Sequence, residues 1–128
     1  MPGVAATAPA AARSMSAADE KMWSTLTHIG GLIVGVVAIP FGFLVPLVTF
    51  LVMKDRGPFV RAHTVTALNF QLTLTLAYIV GGILSFVVIG LPILAAAFVL
   101  NIVFGIIAAV KADHGLWYTY PVAIPFVR

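Results

Sequence analysis

The sequence predicts an all-α, polytopic membrane protein with four transmembrane helices, arranged as two antiparallel hairpins, and a non-helical C-terminal tail at the membrane interface. Hydrophobic residues make up 62% of the chain and charged residues 9%, which leaves too little polar surface to coat a soluble globule. No Asp, Glu, Lys or Arg occurs between Lys21 and Lys54, or between Arg61 and Lys111. Because about 20 apolar helical residues cross a hydrocarbon core about 30 Å thick, both uncharged stretches indicate membrane.

An Ala-rich segment, residues 1–16, precedes the first predicted helix and is expected to be disordered. It lacks the basic leading end and the continuous apolar core of a secretory signal. Ser16 followed by Asp19 is typical of a helix start, since the hydroxyl caps free amides and the acid favours the positive helix end. The first helix is therefore predicted over residues 17–39, within a membrane domain over residues 17–114.

The first uncharged stretch is predicted to form a hairpin. A single straight helix over residues 22–53 would be about 48 Å long, well over the thickness of the bilayer core. Pro40 removes a backbone donor and Gly42 supplies conformational freedom, so the chain is expected to reverse there. The second helix, over residues 43–54, would reach only about 18 Å, so it either thins the bilayer or enters without fully crossing.

The second uncharged stretch is predicted to form another hairpin. Pro58 suits a first helical position, where its missing amide costs nothing, so a third helix is expected over residues 58–89. A tight turn at Gly90 leads into a fourth helix over residues 92–112. The closing residues 115–128 contain two prolines and several Trp and Tyr residues, which prefer the headgroup level, and they are expected to form an aromatic interfacial tail.

The basic residues predict the orientation in the membrane. Four helices place every Lys and Arg on one side, whereas the two turns on the other side carry no charge. Three crossings would separate the first two basic residues from the rest, against the tendency of Lys and Arg to stay cytoplasmic. The chain is therefore expected in the inner cell membrane with both termini cytoplasmic. The basic residues are Arg13, Lys21, Lys54, Arg56, Arg61, Lys111 and Arg128.

Stripes of small and polar residues predict how the third and fourth helices pack. Membrane helices associate through small residues and occasional hydrogen bonds, and residues at four-residue steps share a helix face. The two stripes are expected to face each other, with Asn69 near Ala109 and Asn101 near Ala77 and Tyr78. The stripe residues are Asn69, Thr73, Ala77, Gly81 and Ser85 in the third helix, and Ala97, Asn101, Gly105 and Ala109 in the fourth.

The first helix carries a stripe of its own, Thr27, Gly31 and Gly35. This spacing fits either packing within one chain or an interface between two copies. The sequence leaves both interpretations open and favours packing within one chain.

Four polar residues are candidates for a functional role: His28, His63, Asn69 and Gln71. An ionisable residue is costly inside a membrane helix, so His28 either has a function or reaches the headgroups, and the second interpretation is favoured. Asn69 and Gln71 are two residues apart and point to nearly opposite sides of a helix, so they are not expected to form one site.

A metal site on the inner face is one alternative for His63, Asp55, Asp113 and His114, because oxygen and nitrogen ligands of this kind bind metal ions. The other alternative is that these residues are solvated helix ends. Nothing in their spacing requires a metal, so no metal ligand is predicted.

The sequence also lacks the patterns of catalysis. It contains no cysteine, and no Asp or Glu lies within the predicted spans, where proton relays need acids. The chain is therefore expected not to be an enzyme, with no catalytic or cofactor-binding residue. Its net charge of +3 is spread thinly over short polar segments, which argues against a nucleic-acid partner.

A distinctive run joins the second and third predicted helices: residues 54–60 (KDRGPFV), then His63, then residues 67–71 (ALNFQ). The run resembles a small bacterial four-helix membrane family of unknown function, distantly likened to the channel subunit of the chloroplast inner-envelope (Tic) translocon. Three further pieces agree: residues 23–32, the turn over residues 40–42 and the ending over residues 111–121. The resemblance therefore covers about residues 19–127, and it implies four helices with both ends inside and no established activity. Val65 and Thr66 depart from the basic and acidic pair that the family usually carries there.

The leading functional hypothesis is a non-enzymatic membrane protein that packs with or assists a larger membrane assembly, such as one that handles proteins. Its expected partners are the lipid bilayer and either other membrane proteins or further copies of itself. The alternative is an oligomeric channel or carrier for an ion or small solute, although the predicted spans offer few groups that replace water around an ion. A bilayer-shaping role, based on the short second helix, ranks last.

Overall fold

A computed structural model describes residues 14–128. The predicted disordered segment over residues 1–16 therefore lies outside the described residues, except for residues 14–16. The fold is all-α, as predicted, and contains no strand between residues 14 and 128. Two 3-10 turns, Phe41–Phe43 and Ser85–Val87, join the arms of the two hairpins. The helices are α1 (Ala17–Val37), α2 (Leu44–Met53), α3 (Pro58–Leu84) and α4 (Gly90–Asp113).

The helix starts follow local sequence signals. The Ser16 hydroxyl accepts a hydrogen bond from the Asp19 amide at 3.1 Å, so it caps α1 as predicted. Pro58 occupies the first turn of α3, where its missing N–H leaves no gap in the hydrogen-bond ladder. α4 begins at Gly90, two residues before the predicted start at Pro92. Pro92 therefore lies in the first helical turn, where a proline is tolerated.

The end of α3 differs from the prediction. The α-helix ends at Leu84, short of the expected residue 89, and a 3-10 turn follows over Ser85–Val87. Val88 then adopts a left-handed backbone conformation, with φ of 68°, which reverses the chain direction. No glycine or proline lies between Leu84 and Ile89, so the apolar pattern extended the predicted helix to residue 89.

The prediction of four transmembrane helices is wrong in number. Among the described residues, α3 and α4 are long and apolar enough to cross a membrane, and α1 and α2 are not. The first turns of α1 carry Asp19, Glu20 and Lys21, and polar residues recur among its residues as far as His28. The continuous apolar part of α1 is therefore short. α2 has 10 residues, which correspond to about 15 Å of helix.

The bundle is built around α3 and α4. α1 packs against α4 and α3, while α2 closes the bundle against α3 and α1. The buried hydrophobic cluster combines side chains from α3, α4 and the C-terminal segment. Its members are Phe70, Leu74, Tyr78, Ala97, Ala108 and Tyr120.

The C-terminal segment, residues 115–128, is non-helical as predicted, and we call it the tail. The tail folds back along α3, and its Tyr120 lies in the core at 3% exposure. The Tyr120 ring stacks on Phe70 with centroids 3.9 Å apart and planes within 9°. This part of the tail therefore packs into the bundle, and the location of the tail at the membrane interface stays a prediction.

Candidate functional site

Two buried histidines and a tyrosine form a hydrogen-bonded series that connects α1, α3 and the tail. His28 Nδ1 lies 2.8 Å from the Tyr120 hydroxyl, and His28 Nε2 lies 2.8 Å from His63 Nδ1. His63 Nε2 lies 2.9 Å from the Leu116 carbonyl oxygen. Each histidine is 1% exposed. We call the two histidine rings, the Tyr120 hydroxyl and the Leu116 carbonyl the histidine chain.

The carbonyl at one end fixes the direction of every hydrogen bond in the histidine chain. A carbonyl oxygen only accepts, so His63 Nε2 carries a hydrogen, and in a neutral ring its Nδ1 then accepts. His28 must therefore donate from Nε2 and accept at Nδ1, where the Tyr120 hydroxyl is the donor. Burial, with a smaller contribution from Tyr118, raises the pKa of Tyr120 well above its usual value, which keeps this donor protonated.

These contacts correct two expectations. His28 does not reach toward the headgroups, because its ring is enclosed by His63 and Tyr120. His63 is not at a solvated helix end, although it lies in the second turn of α3. Tyr120 was missed as a site residue, since it is 92 positions from His28 and no local spacing links them.

The histidine chain does not converge on a point where a metal ion would sit. His28 uses its two ring nitrogens for two different partners, His63 and Tyr120, so the three side chains do not point at a common centre. The other residues of the alternative metal site, Asp55, Asp113 and His114, are exposed. Residues 14–128 contain no group of three His, Cys, Asp or Glu side chains placed to hold a metal ion.

A second polar contact, the amide pair, lies deeper in the bundle. Gln71 Nε2 donates to Asn101 Oδ1 at 2.9 Å, and Asn101 Nδ2 donates to the Leu32 carbonyl at 3.1 Å. The pair connects α3, α4 and α1 through a buried position, where an unpaired amide would be costly. Gln71 therefore has a partner on α4, which the helical spacing did not predict.

Glycines make room for the amide pair. A Cβ at Gly31 would lie 3.3 Å from Gln71 Nε2, and one at Gly35 would lie 2.8 Å from Asn101 Nδ2. A Cβ at Gly42 would meet Gln71 Oε1 and also the Gly35 Cα, at 2.8 Å. The stripe on α1 therefore faces the interior of its own chain, in line with the favoured interpretation of packing within one chain.

The polar part of the α3 stripe binds the tail and not α4. Asn69 donates from Nδ2 to the Val127 carbonyl at 2.8 Å and accepts from the Val127 amide at 2.6 Å. Thr73 Oγ1 accepts from the Ile124 amide at 2.9 Å. The Asn69 side chain therefore has its hydrogen-bond partner in the tail, and its expected proximity to Ala109 stays a prediction.

The remaining stripe residues divide between two neighbours. Ala77 packs beside the core cluster that includes Ala97, and a Cβ at Gly81 would lie 2.9 Å from Leu94, so the far part of α3 does face α4. Gly105 of α4 lies against Leu32 of α1 instead. Ser85 lies in the 3-10 turn and donates to the Gly82 carbonyl, while Ala109 is buried.

Most buried polar side chains among the described residues have partners within the protein. Thr27 and Thr49 contact each other at 3.1 Å between α1 and α2, and Thr75 donates to the Pro40 carbonyl at 2.7 Å. The exceptions are the hydroxyls of Ser24, Thr25 and Tyr78. Because lipid offers no hydrogen bonds, a polar interior that satisfies itself suits a bundle embedded in a bilayer.

The fold and this interior define an all-α protein with membrane-related helices, α3 and α4 being apolar enough to span. The chain belongs to the MamF/MmsF family, the magnetosome magnetite crystal formation protein family, which it matches over residues 19–127. Comparison with curated proteins gives no match, and comparison with solved structures gives none.

The family match corrects the resemblance drawn from the run over residues 54–71. That run was likened to a family of unknown function related to the Tic translocon, whereas the match is to the magnetite crystal formation family. Neither the translocation hypothesis nor the channel alternative is supported.

Proposed function

We propose that this chain is a non-enzymatic membrane protein of magnetite crystal formation, which acts in the magnetosome membrane by packing with other membrane proteins. Membership of the crystal formation family supports the process. The helices α3 and α4 support a location in the membrane. The distribution of its charges supports the proposed packing with other membrane proteins.

The described bundle is separated into a charged end and an apolar end, and this separation supports the proposal. At the charged end, Glu20 accepts from the Val60 amide at 3.0 Å, and Arg61 donates to the Arg128 carbonyl at 3.5 Å. Lys21 lies close to Gly115. The start of α1, the loop between α2 and α3, the start of α3 and the tail therefore meet at one end.

The apolar end consists of the two hairpin turns. Val37 and Phe86 are 81% and 92% exposed, and Phe41, Val88 and Ile89 are also exposed. Residues 37–53 and 62–110 carry no Asp, Glu, Lys or Arg. Side chains of this kind favour lipid over the ionic surface of an iron oxide, because apolar groups do not replace the water around surface ions.

The charged end is therefore the surface suited to polar partners, and we place it, with both termini, on the cytoplasmic side. In this arrangement the chain influences the crystal through the membrane and through the proteins that it contacts. The apolar turns stay in or against the lipid and do not touch the mineral.

Complementation in a magnetite-forming host tests this proposal. Deletion of the chain is expected to change crystal size or number in electron micrographs, and the wild-type chain restores both. A Lys54→Gln/Lys111→Gln variant weakens the charged end and is expected to restore them only in part, whereas the matched lipid-facing variant Ile83→Leu restores them fully.

Purification from magnetosome membranes in mild detergent is the companion measurement. Other membrane proteins are expected to co-purify with the wild-type chain and with Ile83→Leu, and less with the double variant. Unchanged crystals after deletion, or a bare chain after purification, would refute the proposal.

A further inference from the structure

The tail is attached to the bundle by two different kinds of contact. Its outer part is held by neutral side chains, since Asn69 and Thr73 bind the backbone of Val127 and Ile124. Its inner part is held by the histidine chain, through the Leu116 carbonyl and the Tyr120 hydroxyl. Two titratable rings therefore hold the part of the tail nearest to α4.

The neutral histidine chain has no place for an additional proton. His63 Nδ1 and His28 Nδ1 both accept hydrogen bonds, and the two Nε2 atoms both donate, so neither ring keeps a free lone pair. If a proton is added to either ring, His28 Nδ1 becomes a donor toward Tyr120. The Tyr120 hydroxyl must then accept and turn its own hydrogen away.

The surroundings oppose that reversal. Tyr120 is held by the stack on Phe70 and by a hydrogen bond of 3.3 Å from its amide to Thr66 Oγ1. Its hydroxyl hydrogen would need a new acceptor in a buried position, and an unpaired buried group is costly. The added positive charge would be buried as well, with its cost uncompensated unless an acid is near.

The described elements around the two rings bring no acid into contact with them. The tail contributes Tyr118 and Tyr120, and α2 has no titratable residue. On α1, the Glu20 carboxylate is bound to the Val60 amide. On α4, Asp113 and His114 line a cavity with Thr25 and Ile29, on the face of α1 next to that of His28.

We propose that the histidine chain is a protonation-sensitive latch on the inner part of the tail, which keeps that part docked on α3 while both histidines are neutral and releases it when the pair takes up a proton. Gly115, in a left-handed conformation with φ of 74°, connects the tail to α4 and is the hinge. Release frees Thr66 from the Tyr120 amide, whereas the neutral contacts of Asn69 and Thr73 still hold the outer part of the tail.

The sign of the pH dependence follows from proton counting. The released tail leaves the histidines accessible to water, where a histidine has an ordinary pKa of about 6.5. The released state therefore binds more protons than the docked state, so acid favours release and neutral or higher pH favours docking. One coupled proton changes the docking equilibrium by up to about tenfold per pH unit.

Hydrogen exchange on the full chain in lipid nanodiscs tests the latch, with rates corrected for the intrinsic effect of pH. Between about pH 8 and about pH 5.5, on either side of the histidine range, protection of the Tyr120 amide in the tail is expected to fall about tenfold or more, while α4 amides stay protected. The control His114→Gln, at an exposed histidine, is expected to show the same fall. Tail protection that does not change with pH would overturn the proposal.

A variant without the two histidines and nitrogen NMR of the wild-type chain are independent tests of the histidine chain. The double variant His28→Gln/His63→Gln removes the titratable rings and is expected to abolish the pH dependence of tail exchange. If the dependence persisted, another group would be responsible and the latch would be excluded. In the wild-type chain at about pH 8, nitrogen NMR is expected to show both rings neutral and protonated at Nε2, and protonation at Nδ1 in either ring would contradict the hydrogen-bond directions.

Discussion

Gly42 packs against α1 and against Gln71 of the amide pair on α3. A Cβ at this position would meet the Gln71 side chain and also the backbone of Gly35 and Gly31, at 2.8 and 3.0 Å. Backbone atoms cannot turn aside as a flexible side chain can. The contact between the first hairpin and α3 therefore requires a residue without a side chain at position 42.

Replacing this glycine tests that contact. Gly42→Ala is expected to destabilise the bundle by about 1–3 kcal/mol, because an added methyl group overpacks a site with no free space. Gly82→Ala is the matched control, since nothing lies within 4 Å of a Cβ there. The control is expected to be neutral or slightly stabilising, and thermal unfolding in detergent distinguishes the two. Equal melting temperatures would show that the bundle has room for a side chain at position 42.

At the residue scale, the sequence indicated which residues matter better than it indicated their partners. Small residues at four-residue steps predicted close packing, and Gly31, Gly35 and Asn101 do lie at such contacts. The partners depend on how each helix is rotated in the bundle, which helical periodicity alone does not determine. The pairing of His28 with Tyr120 depends on the path of the tail, and no local pattern encodes that path.

Among the elements, the tail is the one whose contacts the sequence predicted least well. Its prolines predicted a non-helical segment, and the structure agrees. Its aromatic residues suggested a surface location, yet Tyr120 enters the core and Val127 pairs with Asn69. An extended segment beside membrane helices needs partners for its backbone, and the side chains of Asn69 and Thr73 supply them.

Removing the Asn69 side chain tests this account of the tail. Asn69→Ala removes two hydrogen bonds to Val127, each contributing about 1 kcal/mol, and amide exchange at Val127 is expected to accelerate by roughly 30-fold. Thr75→Ala is the matched control on the same helix, because its hydrogen bond goes to Pro40 and not to the tail. The control is expected to leave exchange in the tail unchanged. Equal rates at Val127 in Asn69→Ala and the wild-type chain would mean that the tail is held by other contacts.

Helix starts were predictable because their signals are local. Ser16 and Pro58 act on the amides next to them, and both mark observed starts. The end of α3 at Leu84 was not predictable, because the apolar pattern continues through Ile89 without a glycine or proline. The turn there depends on packing of the second hairpin, which is a property of the whole bundle.

At the scale of the whole molecule, the separation of charge is encoded directly in the order of the residues. Uncharged stretches predicted two hairpins, and the described bundle has its charged residues at one end and apolar turns at the other. The number of spans was overestimated, because the charged and polar start of α1 and the 10 residues of α2 do not suffice for a crossing. The family could not be inferred from these features, since many membrane proteins share them.

We place the charged end at the cytoplasmic surface and the apolar turns in or against lipid, and cysteine accessibility tests this placement because the chain has no native cysteine. Single variants Asp55→Cys and His114→Cys report the charged end, Phe41→Cys and Phe86→Cys report the turns, and Val48→Cys is the lipid-facing control. In sealed vesicles with the cytoplasmic face outward, a membrane-impermeant maleimide is expected to label positions 55 and 114 and to leave 41, 86 and 48 unlabelled. Labelling of position 41 or 86 from that face, or protection of position 55 or 114, would contradict the account.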